Sequence, residues 1–181
     1  MNICVFCSSN TSTPDIYKAS ASELGQTIAA RKHTLVFGGG NVGLMRTTAE
    51  SVSQSGGQVI GVIPEYLRHR EKRFEKADEL VLTDTISERK RIMIERSDAF
   101  IILPGGFGTL EEFFEVLAAK FRDLDPKPVC ILNTAGFYNQ LFGFFDFIAR
   151  ESVVEQKWRS AVYIGDDPDE LLDYIEKHVH T

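Results

Sequence analysis

"ILPGGFGTLEEFFE", residues 102–115, joins three kinds of sequence in one short stretch. An apolar run ends at Leu103, glycines at 105, 106 and 108 bracket Phe107, and an acidic amphipathic run follows. A short continuous apolar run is the signature of a strand covered on both faces. Strand, glycine-rich turn and helix in that order form the repeating unit of an α/β sheet, whose ligands bind at the carboxyl ends of the strands. The glycines let the backbone approach a ligand without a Cβ clash. A helix beginning near Thr109 would offer unpaired N–H groups and the positive end of its dipole, a ready anion site. Thr109-Leu110-Glu111-Glu112 also fits the T-x-x-E capping box, in which Thr109 caps and Glu112 reaches back. A cap alone does not require three glycines, so the stretch predicts a cap and an anion cradle together.

The same rhythm runs through the chain. Strand candidates are Ile3–Cys7, Thr34–Phe37, Val59–Ile63, Leu80–Leu82, Ala99–Leu103, Val129–Leu132 and Ala161–Ile164. Helix candidates lie near 15–31, 43–55, 86–97, 109–121, 137–150 and 168–178, the last with Pro168 in its first turn. This alternation predicts an α/β fold: a Rossmann-like, doubly wound, mostly parallel sheet with helices on both faces. A length of 181 residues suits one domain spanning 1–181, and no internal repeat or linker divides it.

Composition excludes several classes. A net charge of −6 argues against broad nucleic-acid or anionic-membrane binding. No run approaches the ~20 apolar residues of a membrane span. The start, MNICVFCSSN, lacks the basic and long apolar regions of a signal peptide, so the expected compartment is the cytoplasm. Cys4 and Cys7 form C-x-x-C inside the apolar run ICVFC. Positions i and i+3 of a strand face opposite ways, which favours ordinary packing over a redox pair. His33, His69, His178 and His180 are scattered, and neither a metal nor a cofactor is expected.

A second strand candidate also runs into glycines, in "FGGGNVGLM", residues 37–45. Gly38, Gly40 and Gly43 satisfy G-x-G-x-x-G, and Glu65 lies about 20 residues on, as a dinucleotide site wants. Against that, the motif follows the second strand, and the chain leaves little room for a substrate domain. A half-site for a smaller nucleotide fits better. Between the two glycine runs lies "TDTISERKRIMIERSD", residues 83–98, with a capping-box pattern at Thr85 and Glu88. Arg89, Lys90 and Arg91 then fall in the first two turns, where the helix dipole disfavours cations by roughly 0.3–1 kcal/mol each. An anionic partner would account for that tolerated cost. The irregular stretch Pro64–Asp78, carrying Arg68, His69, Arg70, Glu71, Lys72 and Arg73, reads either as a solvated loop or as a flap. The pattern is a mononucleotide-sized anion site: backbone donors at 105–109, cations at 89–90 and a carboxylate at 112.

At these residues the chain resembles the Lonely Guy (LOG) family. "PGGFGTLEE" matches its P-G-G-x-G-T-x-x-E motif, and "ERK" at 88–90 matches its paired Arg-Lys. "VFCSSN", "FGGGNVGLM", "GGQVIGVIPE", "SDAFIILPGG" and "KPVCILNTAGFYNQL" follow in family order over nearly the whole chain. The resemblance implies a Rossmann-like, typically homodimeric enzyme that cleaves the N-glycosidic bond of a nucleoside 5′-monophosphate. The products would be free base and ribose 5-phosphate, as in cytokinin production from AMP or isopentenyl-AMP. It implies Arg89 and Glu112 as the catalytic pair. Lys90, Gly105, Gly106, Phe107, Gly108 and Thr109 would hold phosphate and ribose, with Gly39 and Gly40 beside them, and Glu71 would contact substrate from a flap.

Members of this family have also been called lysine decarboxylases, yet the sequence holds no glycine-framed lysine with a pyridoxal context. The family's usual Met-His before x-Arg-Lys is Ile86-Ser87 here, and its Thr-Trp-x-Gln is Ala118–Phe121, which leaves base preference open. Related Rossmann proteins with similar glycine loops bind molybdenum cofactor without catalysis; Arg89 together with Glu112 favours the enzyme. Seven phenylalanines on two outer helices, at 113, 114, 121, 142, 144, 145 and 147, exceed what one sheet face needs and suggest a self-association surface.

Overall fold

The computed structural model describes residues 1–67, 72–122, 124–155 and 157–179. Seven strands form one sheet: β1 (Asn2–Phe6), β2 (Thr34–Phe37), β3 (Gln58–Pro64), β4 (Glu79–Thr83), β5 (Ala99–Ile102), β6 (Val129–Leu132) and β7 (Tyr163–Gly165). Their spatial order is β4-β3-β2-β1-β5-β6-β7, and every pairing is parallel. Ile3 stands opposite both Leu35 and Ala99, which fixes the register of the three central strands. The chain winds outward from β1 to the β4 edge, returns to place β5 beside β1, then winds outward the other way. The switch point therefore falls between β1 and β5, where doubly wound sheets bind their ligands.

Among the described residues seven α-helices flank the sheet: α1 (Asp15–Ala30), α2 (Gly43–Gln54), α3 (Ile86–Glu95), α4 (Phe107–Phe121), α5 (Asn139–Arg150), α6 (Trp158–Ala161) and α7 (Pro168–His178). Strand side chains alternate between two cores. Ile3, Val5, Leu35 and Phe37 pack under α1, α2 and α7 with Leu24, Ile28, Leu44 and Leu171. Cys4, Phe6, Val36 and Phe100 pack under α3, α4, α5 and α6 with Met93, Phe113, Phe145 and Trp158. Burial on both faces is why the strands read as near-continuous apolar runs. Cys4 and Cys7 fall in opposite cores, and both are buried free thiols, as strand packing requires.

Two helix starts show how local sequence sets the site. At α3 the cap forms with its return bond shifted by one residue: Thr85 Oγ1 accepts from the Glu88 amide at 3.0 Å, and Glu88 Oε2 accepts at 2.9 Å from the amide of Asp84, just before the cap. At α4 the expected box does not form. The helix begins two residues earlier, with Gly106 as N-cap and no side-chain cap. Thr109 is instead buried one turn in, and its side chain fills the space where a Cβ on Gly105 would sit, with Thr109 Oγ1 at 2.1 Å. The glycine run thus lets the first turn of α4 close back on Gly105, with a glycine in place of a capping side chain at its start.

Candidate active site

The switch point holds a cavity of about 540 Å³. Four parts of the chain build it. From β1 come Cys7 and the loop Ser8–Pro14; from β5 come Pro104 and the turn Gly105–Thr109; Gly38 and Met45 enter from the β2–α2 side; and α3 and α4 contribute Arg89, Met93 and Glu112. Tyr17 and Phe137 close one side as an edge-to-face pair, 5.4 Å between centroids. The β1 and β5 loops are tied together, since the Ser8 amide donates to Pro104 O at 3.1 Å. Ser8–Thr13 is organised from within: Asn10 Oδ1 accepts from the Ser12 amide at 2.9 Å, and Thr13 Oγ1 donates to Asn10 O at 2.6 Å.

Arg89 is the buried cation of the site, only 8% exposed. Its Nε donates to Val62 O at 3.1 Å and its Nη2 to Gly38 O at 2.9 Å. Carbonyls at the carboxyl ends of β3 and β2 therefore steady a charge that burial would otherwise penalise. The guanidinium lies where a side chain on Gly38 would go: a Cβ there would stand 1.8 Å from Nη2. Glu112 is half-buried on the second turn of α4 and lines the same cavity. The thiol of Cys7 on the floor senses both charges. Burial pushes it up most, the Glu112 carboxylate adds to that, and Arg89 pulls the other way.

The structure brings together Arg89, Glu112, Gly105, Gly106, Phe107, Gly108 and Thr109 from the sequence-predicted set. Phe107, in the first turn of α4, is 93% exposed at the cavity rim. Three expected contributors stand elsewhere. Lys90 does not line the cavity; it turns from Arg89 toward α4 and pairs with Glu111 and Glu115. Gly39 and Gly40 also lie outside the lining and carry backbone contacts to Arg73 and Phe74. Gly39 O accepts from the Phe74 amide at 2.9 Å, and Gly40 bridges Arg73. Gly38 is the member of that run that faces the cavity. Glu71 lies outside the described residues.

Two glycines of G-x-G-x-x-G, Gly38 and Gly43, have reasons of their own that need no dinucleotide, whereas Gly40 makes a backbone bridge open to any residue. Gly38 makes room for Arg89, Gly40 receives Arg73, and Gly43, at φ +54°, packs against the Ser8 carbonyl of the β1 loop. Sequence reasoning missed Ser8–Thr13, Tyr17, Met45 and Phe137. The available signal was position: the loop after the first strand of a doubly wound sheet flanks the switch point.

Sheet order, switch point and the glycine-turned helix start are those of Rossmann-type proteins that bind nucleotides. A family model described as "Possible lysine decarboxylase" matches residues 45–175. A probable cytokinin riboside 5′-monophosphate phosphoribohydrolase of Oryza sativa subsp. japonica is 41% identical over 97% of this chain and 72% of its own length. A cytokinin riboside 5′-monophosphate phosphoribohydrolase of Arabidopsis thaliana is 39% identical over 97% of this chain and 84% of its own. The chain belongs to this phosphoribohydrolase, or Lonely Guy, family. Among solved structures, the molybdenum cofactor binding protein of Rippkaea orientalis superposes with a TM-score of 0.76 at 26% identity, covering 97% of this chain and 95% of that one. The molybdenum cofactor carrier protein of Chlamydomonas reinhardtii gives 0.75 at 23% identity over 99% and 98%, a likeness of fold.

The decarboxylase description can be tested on the side chains. Pyridoxal chemistry needs a lysine to hold the cofactor as a Schiff base. Among the described residues no lysine lines the cavity, and Lys90 is held by two carboxylates. These residues do not fit that group.

Proposed function

We propose that this protein has the activity its relatives are named for: hydrolysis of the N-glycosidic bond of a nucleoside 5′-monophosphate to free base and ribose 5-phosphate. The observation that carries this reading is the convergence of Arg89 and Glu112 on one cavity with the Gly105–Thr109 turn. The amides at the start of α4 would hold the 5′-phosphate. Binding energy from that remote group fixes C1′ against the catalytic pair. As the C1′–N bond breaks, its electron pair leaves with the base and the sugar becomes oxocarbenium-like. Glu112 stabilises that positive charge and takes a proton from the water that adds to C1′; the departing base takes up a proton from solvent and Glu112 returns its own there, giving free base and ribose 5-phosphate. Arg89 stays protonated throughout and can only stabilise negative charge, on the phosphate or on the departing base.

A panel of AMP, isopentenyl-AMP and the other common nucleoside monophosphates, with chromatographic detection of base and ribose 5-phosphate, tests this. Base release is expected from at least one purine monophosphate, and release from the matching nucleoside at least tenfold slower. Folded protein that frees no base from any monophosphate, yet retains a pterin through purification, points to the cofactor-carrier reading instead.

We also read the protein as a cytoplasmic homodimer. No helix among the described residues is long and apolar enough to cross a membrane. Support for association is an apolar groove of about 330 Å³ where Phe114, Leu117 and Phe121 of α4 meet Phe145 and Ile148 of α5 and Trp158 of α6. Phe144 and Phe147 stand exposed on α5. Light scattering at micromolar concentration should give twice the chain mass, and Phe114→Glu should shift it toward the monomer; a wild-type monomer sinks the dimer.

A further inference from the structure

Lys90 follows Arg89 on α3, yet the two side chains serve different partners. Neighbours on a helix point about 100° apart, so they do not share a face. Arg89 turns into the cavity. Lys90 turns across to α4, where Nζ sits 2.7 Å from Glu115 Oε2 and also pairs with Glu111 Oε1. Glu111 and Glu115 are one turn apart, flanking Glu112 in the sequence. Like charges at that spacing repel, and a third carboxylate stands beside them. The Lys90 side chain is only 13% exposed. Its burial disfavours the ammonium, but hydrogen bonds to the two carboxylates outweigh that and hold its pKa above the ordinary lysine value. The bridge therefore joins the two helices that deliver the catalytic pair.

We propose that Lys90 is a positioning residue: through Glu111 and Glu115 it clamps α3 to α4 and sets Arg89 relative to Glu112, without holding the substrate phosphate. This rests on the ribosidase reading above. It departs from the role the sequence suggests, because a lysine already shared by two carboxylates is poorly placed to recruit a phosphate.

The test compares Lys90→Met, Glu111→Gln/Glu115→Gln and the combined triple variant with wild type. Three readouts are taken: kcat and KM with AMP, melting temperature, and hydrogen exchange of the α3 amides. The clamp predicts that Lys90→Met loses ten- to a hundredfold in kcat with KM within about twofold, in line with the cost of a ~1 Å misplacement. The carboxylate variant should lose a similar factor, and the triple variant no more than either. Exchange in α3 should quicken in all three while the melting temperature stays within a few degrees. A Lys90→Met protein whose KM rises tenfold at unchanged kcat makes Lys90 a phosphate ligand and overturns the proposal. So does a carboxylate variant with full kcat. If wild type frees no base, the ribosidase reading falls by itself. The clamp is then judged by exchange alone, and unchanged α3 protection in Lys90→Met overturns it.

Discussion

Glu112→Gln should lower kcat about a thousandfold and leave the fold standing. The substitution keeps the size and hydrogen-bonding reach of the side chain and removes only its negative charge and basicity. General base catalysis by a positioned carboxylate contributes roughly 10²–10⁴, and stabilising an oxocarbenium-like sugar adds an electrostatic part. A thousandfold corresponds to about 4 kcal/mol of transition-state energy. KM should move little, because the phosphate would be held by backbone amides that the substitution does not touch. The neighbouring acids make poor substitutes: Glu111 and Glu115 are both paired with Lys90 and do not line the cavity. Single-turnover base release, with circular dichroism for the fold, measures the effect. Activity within tenfold of wild type would remove Glu112 from the chemistry and send the search to another group on the cavity wall.

What the sequence made legible and what it hid divide along a physical line. Strands β2 and β6 fall on the expected boundaries, because Thr34–Phe37 and Val129–Leu132 are short runs of β-branched and apolar residues followed directly by glycine or asparagine. Helix α7 likewise matches, with Pro168 in its first turn and Asp167 as the cap it implies. Local chemistry decides such elements. Helix α4 starts ahead of its T-x-x-E pattern because that pattern is local, and a local pattern cannot report that Thr109 is buried against Gly105. The short helix α6 carries too few residues for a periodicity to show.

The site was less legible than the fold, since it depends on which way side chains turn. Arg89 and Glu112 could be named because each sits in a motif, and the motifs meet at the switch point. Lys90 is assigned to the phosphate by the family's paired Arg-Lys motif, and a motif does not say which way a side chain turns; here it turns toward Glu111 and Glu115. Of three consecutive glycines, the sequence could not tell which one faces the cavity. Gly39, at φ +70°, is shaped for its turn, whereas Gly38 has no such backbone demand and is set apart by what lies against it.

That distinction makes Gly38→Ala the sharper probe of Arg89. The Gly38 backbone lies outside the left-handed region, so alanine suits it. The new methyl group would meet Nη2 at 1.8 Å and Cζ at 2.8 Å, with Met45 Sδ at 3.1 Å. Those closest atoms are the far end of a flexible side chain, so Arg89 yields and the fold does not. Yielding takes Nη2 away from Gly38 O, moving the cation by an ångström or more without altering its charge. Misplacement on that scale costs about a hundredfold in rate. Expected, then, is a hundredfold loss of kcat/KM with a melting temperature within a few degrees of wild type. Gly39→Ala is the control with the opposite profile. There alanine is forced to a positive φ and meets Ile63 Cβ at 3.0 Å and the Val62 backbone at 3.2 Å, so stability should fall by about 1 kcal/mol or more. Kinetics and thermal melts of the two variants in parallel separate a glycine kept for the position of Arg89 from one kept for the chain. If Gly38→Ala is fully active, Arg89 does its work from more than one position, and the tight fit against Gly38 is packing alone.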